Sequence, residues 1–346
     1  MRHFLTTADW ARDDLQRLLD TARDLQQQPH GNRLAGRSIA LLFFNPSLRT
    51  RTSFELGMHQ LGGKAIVLQP GKDAWGIEFE PGAVMTGDAE EHITEVAGVL
   101  SRYVDLIGVR AFPKFQRWED DREDKLLHAL ARHASVPVIN METITHPCQE
   151  LALMKTLQDQ LGDVTGRRFL LTWTYHPKPL NTAVANSALL IASKFGMDVT
   201  LLCPSEDYLL DPRYMSLAAQ YTKGLGRSLE VTHDIDEAYR GADVVYAKSW
   251  GALPFFGRWE DELPQREASR HFIVDERKMA LTNNALFSHC LPVRRNVKVT
   301  DAVLDSPRSV AIDEAENRLH VQKALMLDLL LQGSAAAGAD SLSTHT

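Results

Sequence analysis

Asn45-Pro46-Ser47-Leu48-Arg49-Thr50-Arg51-Thr52-Ser53-Phe54-Glu55 gathers hydroxyls and guanidinium groups directly after the apolar run Ser38-Ile39-Ala40-Leu41-Leu42-Phe43-Phe44. A buried strand turning into a helix presents unpaired backbone N–H groups and the positive end of a helix dipole at the turn. Ser47, Thr50 and Thr52 add hydroxyl donors, and Arg49 and Arg51 add forked donors that match phosphate oxygens. The chemistry this suggests is the grip on a phosphate. On these residues alone, a capped helix start with solvated arginines accounts for the pattern equally well.

Two further clusters bear chemistry: His146-Pro147-Cys148-Gln149 in mid-chain and His289-Cys290-Leu291-Pro292 late in the chain. The second pairs a thiol with an imidazole, yet neighbouring side chains on an extended segment point apart, so adjacency is weak support for thiol catalysis. Arg110 ends the strand-like run Leu106-Ile107-Gly108-Val109, where open α/β sheets put functional groups. An ordinary surface charge is the lesser alternative for Arg110, whereas a lone tryptophan such as Trp75 reads as core. Arg318, in Glu314-Ala315-Glu316-Asn317-Arg318, reads as a charge on a helix face.

The elements that must hold these residues alternate between short apolar runs and longer amphipathic segments, which is the pattern of parallel sheets covered by helices. An opening helix is expected from a cap at Asp9, with Trp10, Leu15, Leu18, Leu19, Ala22 and Leu25 as its buried stripe. Strands are expected at Ser38 to Phe44, Ala65 to Leu68, Leu106 to Val109 and Val136 to Ile139. A second series follows at Phe169 to Thr172, Val199 to Leu202, Leu229 to Thr232, Val244 to Ala247 and Ala285 to Ser288. The reading is an α/β chain of two Rossmann-like domains, 1–145 and 150–315. An apolar helical pattern covers 316–331, and a small, polar stretch at 333–346 reads as a disordered tail.

A chain of 346 residues, 44% hydrophobic, has material for two cores, and a formal net charge of −7 excludes a general polyanion-binding surface. Cys148, Cys203 and Cys290 form no Cys-X-X-Cys pair, which argues against structural zinc and for a reducing compartment. No signal-peptide core and no bilayer-length apolar run is present, so a cytoplasmic protein is expected. Thr172-Trp173-Thr174-Tyr175-His176-Pro177-Lys178-Pro179-Leu180-Asn181 follows the first strand of the second series, where a dinucleotide-binding domain would carry Gly-X-Gly-X-X-Gly. That fingerprint is missing and a nicotinamide cofactor is disfavoured. The two prolines stiffen the loop.

Ser47-Leu48-Arg49-Thr50-Arg51, His146-Pro147-Cys148-Gln149 and His289-Cys290-Leu291-Pro292, in that order, resemble the motifs of the aspartate/ornithine transcarbamylase family, over roughly Phe4 to Leu330. The resemblance implies carbamoyl transfer without a cofactor or metal. It implies that Ser47, Leu48, Arg49 and Thr50 bind the phosphate of carbamoyl phosphate, that Arg110 and His146 lie by its carbonyl, and that Gln149 meets its amide. It implies main-chain carbonyls at Cys290 and Leu291 as acceptors, Arg318 as a further carbamoyl phosphate ligand, and the 316–331 helix as a return to the first domain. The amino-acid side would use Glu142 and Lys248. Lys248 stands where ornithine-using members carry an aspartate pattern, and a cation there repels a free α-ammonium but pairs with a carboxylate.

The acceptor implied is therefore an α-N-acylated ornithine, N2-acetyl-L-ornithine foremost and N-succinylornithine next, giving N-acetyl-L-citrulline and phosphate in arginine biosynthesis. Trp75 would serve a neighbouring subunit's site in a homotrimer, and Glu90 would stand against the acyl group. Lys298 would be carboxylated, and the proline-bearing loop would belong to a backbone knot. A catalytically silent, anion-binding regulatory subunit and a dehydrogenase are the readings from other classes. Retention of Arg49, Arg51, Arg110, His146, Gln149 and Arg318 weighs against the first. No nucleic acid or membrane partner is expected.

Overall fold

In the computed structural model, which describes residues 1–341 and only the backbone of 332–341, the apolar runs become parallel strands and the amphipathic segments the helices beside them. The strands are β1 (Ser38–Phe43), β2 (Lys64–Leu68), β3 (Ile77–Glu78), β4 (Glu91–His92), β5 (Leu106–Arg110) and β6 (Val138–Glu142). They continue with β7 (Arg168–Trp173), β8 (Asp198–Leu202), β9 (Leu229–Thr232), β10 (Val244–Lys248) and β11 (Leu286–Ser288). The chain divides into two compact units. Unit one comprises Met1–Phe112, Glu123–Thr143 and the chain from Arg318 on, and unit two comprises Pro113–Arg122 and Ile144–Asn317.

Unit one is built on a four-stranded sheet in the order β2-β1-β5-β6, all parallel. β5 is buried throughout and β1 from Ile39 on, which is why both read as unbroken apolar runs. Its core joins Ala40 and Leu42 of β1 to Ile107, Val109 and Val138, with Ile93, Ala97, Leu127 and Leu130 from flanking helices. From β1 the chain passes outward to β2 and then returns to the other side of β1 as β5. The carboxyl ends of β1 and β5 thus flank a topological switch point, where open α/β sheets bind ligands.

Unit two repeats the device with five parallel strands in the order β11-β10-β7-β8-β9. The chain leaves β7 toward β8 and β9, then crosses to the opposite side for β10 and β11. Its switch point lies between β7 and β10.

Several expectations are corrected. Asp9 does not cap the first helix: it ends a short 3-10 turn, Thr7–Asp9, and the helix runs Arg12–Gln27. Trp10 stays extended because its indole N–H donates to the His3 carbonyl at 3.2 Å and its ring meets Phe4 edge-on. The strand expected from Val136 begins at Val138 and runs to Glu142, since Pro137 has no N–H for the ladder. The two-residue strands β3 and β4, paired in parallel, are too short for periodicity to reveal.

Residues 113–122, expected within the first domain, belong to unit two because Trp118 is buried there. Its indole donates to Asp211 at 2.6 Å, Arg122 reaches the same carboxylate at 3.2 Å, and Trp118 packs with Phe256. The boundary expected between 145 and 150 falls between Thr143 and Ile144, and unit two runs to Asn317. The last helix is longer than 316–331, spanning Ala311–Ser341. The tail expected at 333–346 therefore overlaps it: the alanine-rich stretch to 341 continues the helix, as its propensity favours, and 342–346 lie outside the described residues. Within unit one, Lys323 of this helix donates to Gln60 Oε1 at 2.9 Å and to the carbonyls of Leu25 and Pro29 at 3.2 Å. Among the described residues no helix is long and apolar enough to cross a membrane.

Candidate active site

After β1 the chain turns through Asn45 to Leu48 and enters the helix Arg49–Gln60. The turn is tied to the end of β5. Phe44 N–H donates to the Arg110 carbonyl at 3.0 Å, and Asn45 Oδ1 accepts from Phe112 N–H at 2.7 Å. Ser47 Oγ accepts from Thr50 N–H at 3.1 Å, so the serine caps the helix start. The first turn carries Arg49 and Arg51 and no acidic residue. Cations at the positive end of a helix dipole are unfavourable by themselves, and a bound anion reverses the sign.

Arg318 is buried in unit one, and its Nη2 donates to Thr50 Oγ1 at 2.8 Å. This helix-face charge is thereby brought to the phosphate-type turn. Arg110, at the end of β5, is buried and paired with Glu142 on β6, where the two residues are register partners. Its guanidinium also lies 4.6 Å from the Phe112 ring centroid. Leu48 is 74% exposed and offers the turn only its main chain. Two candidate donors face elsewhere. Thr52 turns its hydroxyl back to the Leu48 carbonyl at 2.8 Å, and Arg51 pairs with Glu55 at 3.3 Å on the exposed side of the helix.

Trp75, which reads alone as core, is 67% exposed. With Met85, Glu90, Glu91, His92 and Glu95 it lines an open cavity of about 470 Å³, organised by the pairing of β3 with β4.

In unit two, His146 precedes the helix Pro147–Leu161 with proline at its first position, a start suited to a residue without N–H. The His146 N–H donates to Ser187 Oγ at 2.7 Å. Gln149 Nε2 donates to Glu314, a buried carboxylate that also accepts from Ser288 and from the Tyr246 hydroxyl. Glu314 went unnoticed in the sequence, where it resembles any acid in a helix's first turn. It fixes which end of the Gln149 amide is the donor.

The His289 ring answers the thiol question. Its Nδ1 faces the Cys290 main-chain carbonyl rather than the thiol, and its Nε2 lies 3.2 Å from Lys298 Nζ. Nδ1 thus carries the proton, and Nε2 accepts from the amine. Lys248 ends β10, buried, with its carbonyl accepting Thr174 N–H at 2.9 Å.

Charge repulsion marks this cluster. Burial, then Lys248 and Arg294, hold the Lys298 amine well below the ordinary lysine range. Burial together with Lys298 and Lys248 pushes His289 well below the ordinary imidazole range. His176, in the proline-bearing loop, falls to about 4 through burial, with Lys298, Arg294 and Lys248 contributing. The sequence left His176 unassigned; its histidine beside two prolines was the available signal. A cluster of basic groups packed this closely is one that an anion stabilises. Among the described residues no group of acids, histidines and cysteines is arranged to hold a metal.

Residues 2–159 match the carbamoyl-P binding domain of aspartate/ornithine carbamoyltransferases, and residues 180–329 match their Asp/Orn binding domain. The chain is 68% identical over 334 residues, 96% of this chain and 98% of the relative, to an N-acetylornithine carbamoyltransferase of Xanthomonas campestris pv. campestris. It is 38% identical over 299 residues, 86% of this chain and 88% of the relative, to an N-succinylornithine carbamoyltransferase of Bacteroides fragilis. A crystal structure of acetylornithine transcarbamylase complexed with acetylcitrulline matches with a TM-score of 0.94 at 68% identity, covering 95% of this chain and 99% of that one.

Proposed function

The chain belongs to the aspartate/ornithine carbamoyltransferase family, and on that footing we propose that it transfers the carbamoyl group of carbamoyl phosphate to the δ-amine of N2-acetyl-L-ornithine, giving N-acetyl-L-citrulline and phosphate for arginine biosynthesis. The observation that carries the choice of acceptor is Lys248, a buried cation at the carboxyl end of β10 within a cationic cluster. Such a group attracts a carboxylate and repels a free α-ammonium, and acylation removes that ammonium.

Transfer forms a bond from the δ-nitrogen to the carbamoyl carbon, breaks the carbon–oxygen bond to phosphate, and releases one proton from nitrogen. The amine must arrive neutral and in line, so positioning and charge stabilisation supply the catalysis. In unit one, the backbone at Leu48 with Ser47, Arg49 and Thr50 binds the phosphate, and Arg318 supports it beside Thr50. Arg110 faces the oxygen on which charge develops, and Glu142 serves the acylated amino acid. In unit two, His146 and Gln149 attend the carbamoyl group, and the carbonyls of Cys290 and Leu291 accept hydrogen bonds from its amide or from the attacking amine. Lys248 and Lys298 serve the amino-acid end. Trp75 acts on a neighbouring subunit's site in a homotrimer, and Glu90, in the same cavity, faces the acyl group. The proline-bearing loop is read as part of a backbone knot. Product analysis with carbamoyl phosphate and a panel of ornithine, acetylornithine, succinylornithine and aspartate tests the proposal; turnover of ornithine alone would sink it.

The depressed basicity of Lys298 supports its carboxylation, because a neutral amine attacks CO2, loses a proton and becomes a carbamate anion that Lys248 and Arg294 can stabilise. The native chain is expected to carry the mass of one CO2 on Lys298 above the amine's lowered pKa, and to lose it on acidification, when the amine is protonated. A native mass spectrum without it contradicts the reading. The shared site is tested by mixing Trp75→Ala subunits with Arg49→Ala subunits. Each parent is expected to be nearly inactive and verified mixed trimers active; silence in those trimers rules out sharing.

A further inference from the structure

In unit two, two loops leave the switch point, one from β7 over 174–182 and one from β10 over 249–252. Such loops have no sheet partners, so their main-chain groups need other bonds. They bond partly to each other. Thr174 N–H donates to the Lys248 carbonyl at 2.9 Å, Gly251 N–H to the Leu180 carbonyl at 3.0 Å, and the Thr174 and Ser249 hydroxyls meet at 3.2 Å.

Four other main-chain groups converge on one ion pair in the helix Trp259–Ala268. Arg266 and Glu262 have side chains only 1% and 0% exposed and hydrogen-bond to each other. Arg266 Nη1 donates to the His176 carbonyl at 3.2 Å and the Lys178 carbonyl at 3.4 Å. Its Nη2 donates to the Trp250 carbonyl at 3.4 Å, which also receives the Trp173 indole N–H at 3.0 Å. Glu262 Oε1 accepts Ala252 N–H at 2.9 Å. A single guanidinium thus binds both loops, and its carboxylate partner binds one of them again.

A buried ion pair is poor value as a source of stability, since apolar residues of equal volume do as well or better. What apolar residues cannot do is satisfy three carbonyls and an N–H in unpaired backbone. We propose that Arg266 and Glu262 are positioning residues for the acylated amino acid, clasping the two loops so that His176 and Lys248 keep their places about its carboxylate. This rests on the reading that unit two binds the acyl-ornithine.

The test compares wild type with Arg266→Lys, which keeps the charge but loses the planar fork, and with Glu262→Gln, which keeps an acceptor but not the charge. Arg266→Lys is expected to raise KM for acetylornithine about tenfold while KM for carbamoyl phosphate stays within about twofold. Hydrogen exchange of the ligand-free chain is expected to quicken in 174–180 and 249–252 together and to stay unchanged in the helix Ala183–Lys194. Glu262→Gln should show the same pattern, more weakly. A folded Arg266→Lys with unchanged KM for acetylornithine and unchanged loop exchange overturns the inference, as does equal damage to both KM values. Failure of both conservative variants to fold assigns the pair to stability instead and overturns it too. A wild type that carbamoylates no ornithine sinks the proposed function, while the exchange pattern still judges the clasp.

Discussion

Arg110→Met is expected to lower kcat/KM by about a hundredfold, the upper range for a charge-assisted hydrogen bond of roughly 1.5 to 3 kcal/mol. It should also destabilise unit one, because Glu142 then remains nearly buried without its partner, a loss of about 3 to 5 kcal/mol in comparable pairs. The double variant Arg110→Met/Glu142→Gln, compared with Glu142→Gln alone, separates the two effects. With no uncompensated carboxylate it should melt close to wild type, yet stay far less active than Glu142→Gln if Arg110 stabilises the reacting carbonyl. Activity equal to that of Glu142→Gln, along with recovered stability, would mean that Arg110 serves only to neutralise Glu142.

Glu90→Pro is expected to move the acyl preference from acetyl toward succinyl. Glu90 shares its open cavity with Glu91 and Glu95, so a second carboxylate brought there on a substrate meets several like charges. Two unit charges about 4 Å apart repel by about 1 kcal/mol in water and about 4 kcal/mol at an effective dielectric near 20, which spans roughly fivefold to several hundredfold in relative affinity. The acetyl methyl meets no such penalty. Glu90 lies just before β4, at the end of an irregular segment, where proline's missing N–H and fixed φ do least harm. The ratio of kcat/KM for the two acyl-ornithines, measured in a mutant with a wild-type melting curve, decides the matter; an unchanged ratio removes Glu90 from the gate.

The parts legible from sequence share a physical cause: strands buried on both faces, such as β1 and β5, must be apolar throughout, and a helix starting in Arg49 and Arg51 advertises its mismatch with the dipole. Arg318 was not legible from its neighbours, because helical spacing says which residues share a face but not what that face packs on. Residues 113–122 were misassigned because their attachment depends on Trp118 meeting Asp211, far along the chain. The low basicity of Lys298 was equally hidden, since it arises from burial and from Lys248, which only the fold brings near. Arg266 follows Glu260, Asp261 and Glu262 in the chain, and nothing in its spacing announces three carbonyls.

The division of the chain has a consequence for how the protein is born. Unit one is complete only when the segment from Arg318 arrives, bringing Arg318 to Thr50 and Lys323 to the carbonyls of Leu25 and Pro29. At about 5–20 residues per second, a ribosome spends roughly ten to thirty-five seconds between Thr143 and Arg318. Throughout that interval the nascent first unit holds its apolar strands without their closing helix, while unit two is emerging whole. The amino-terminal half is thus the later of the two to mature, and it is the half that a chaperone or protease meets unfinished.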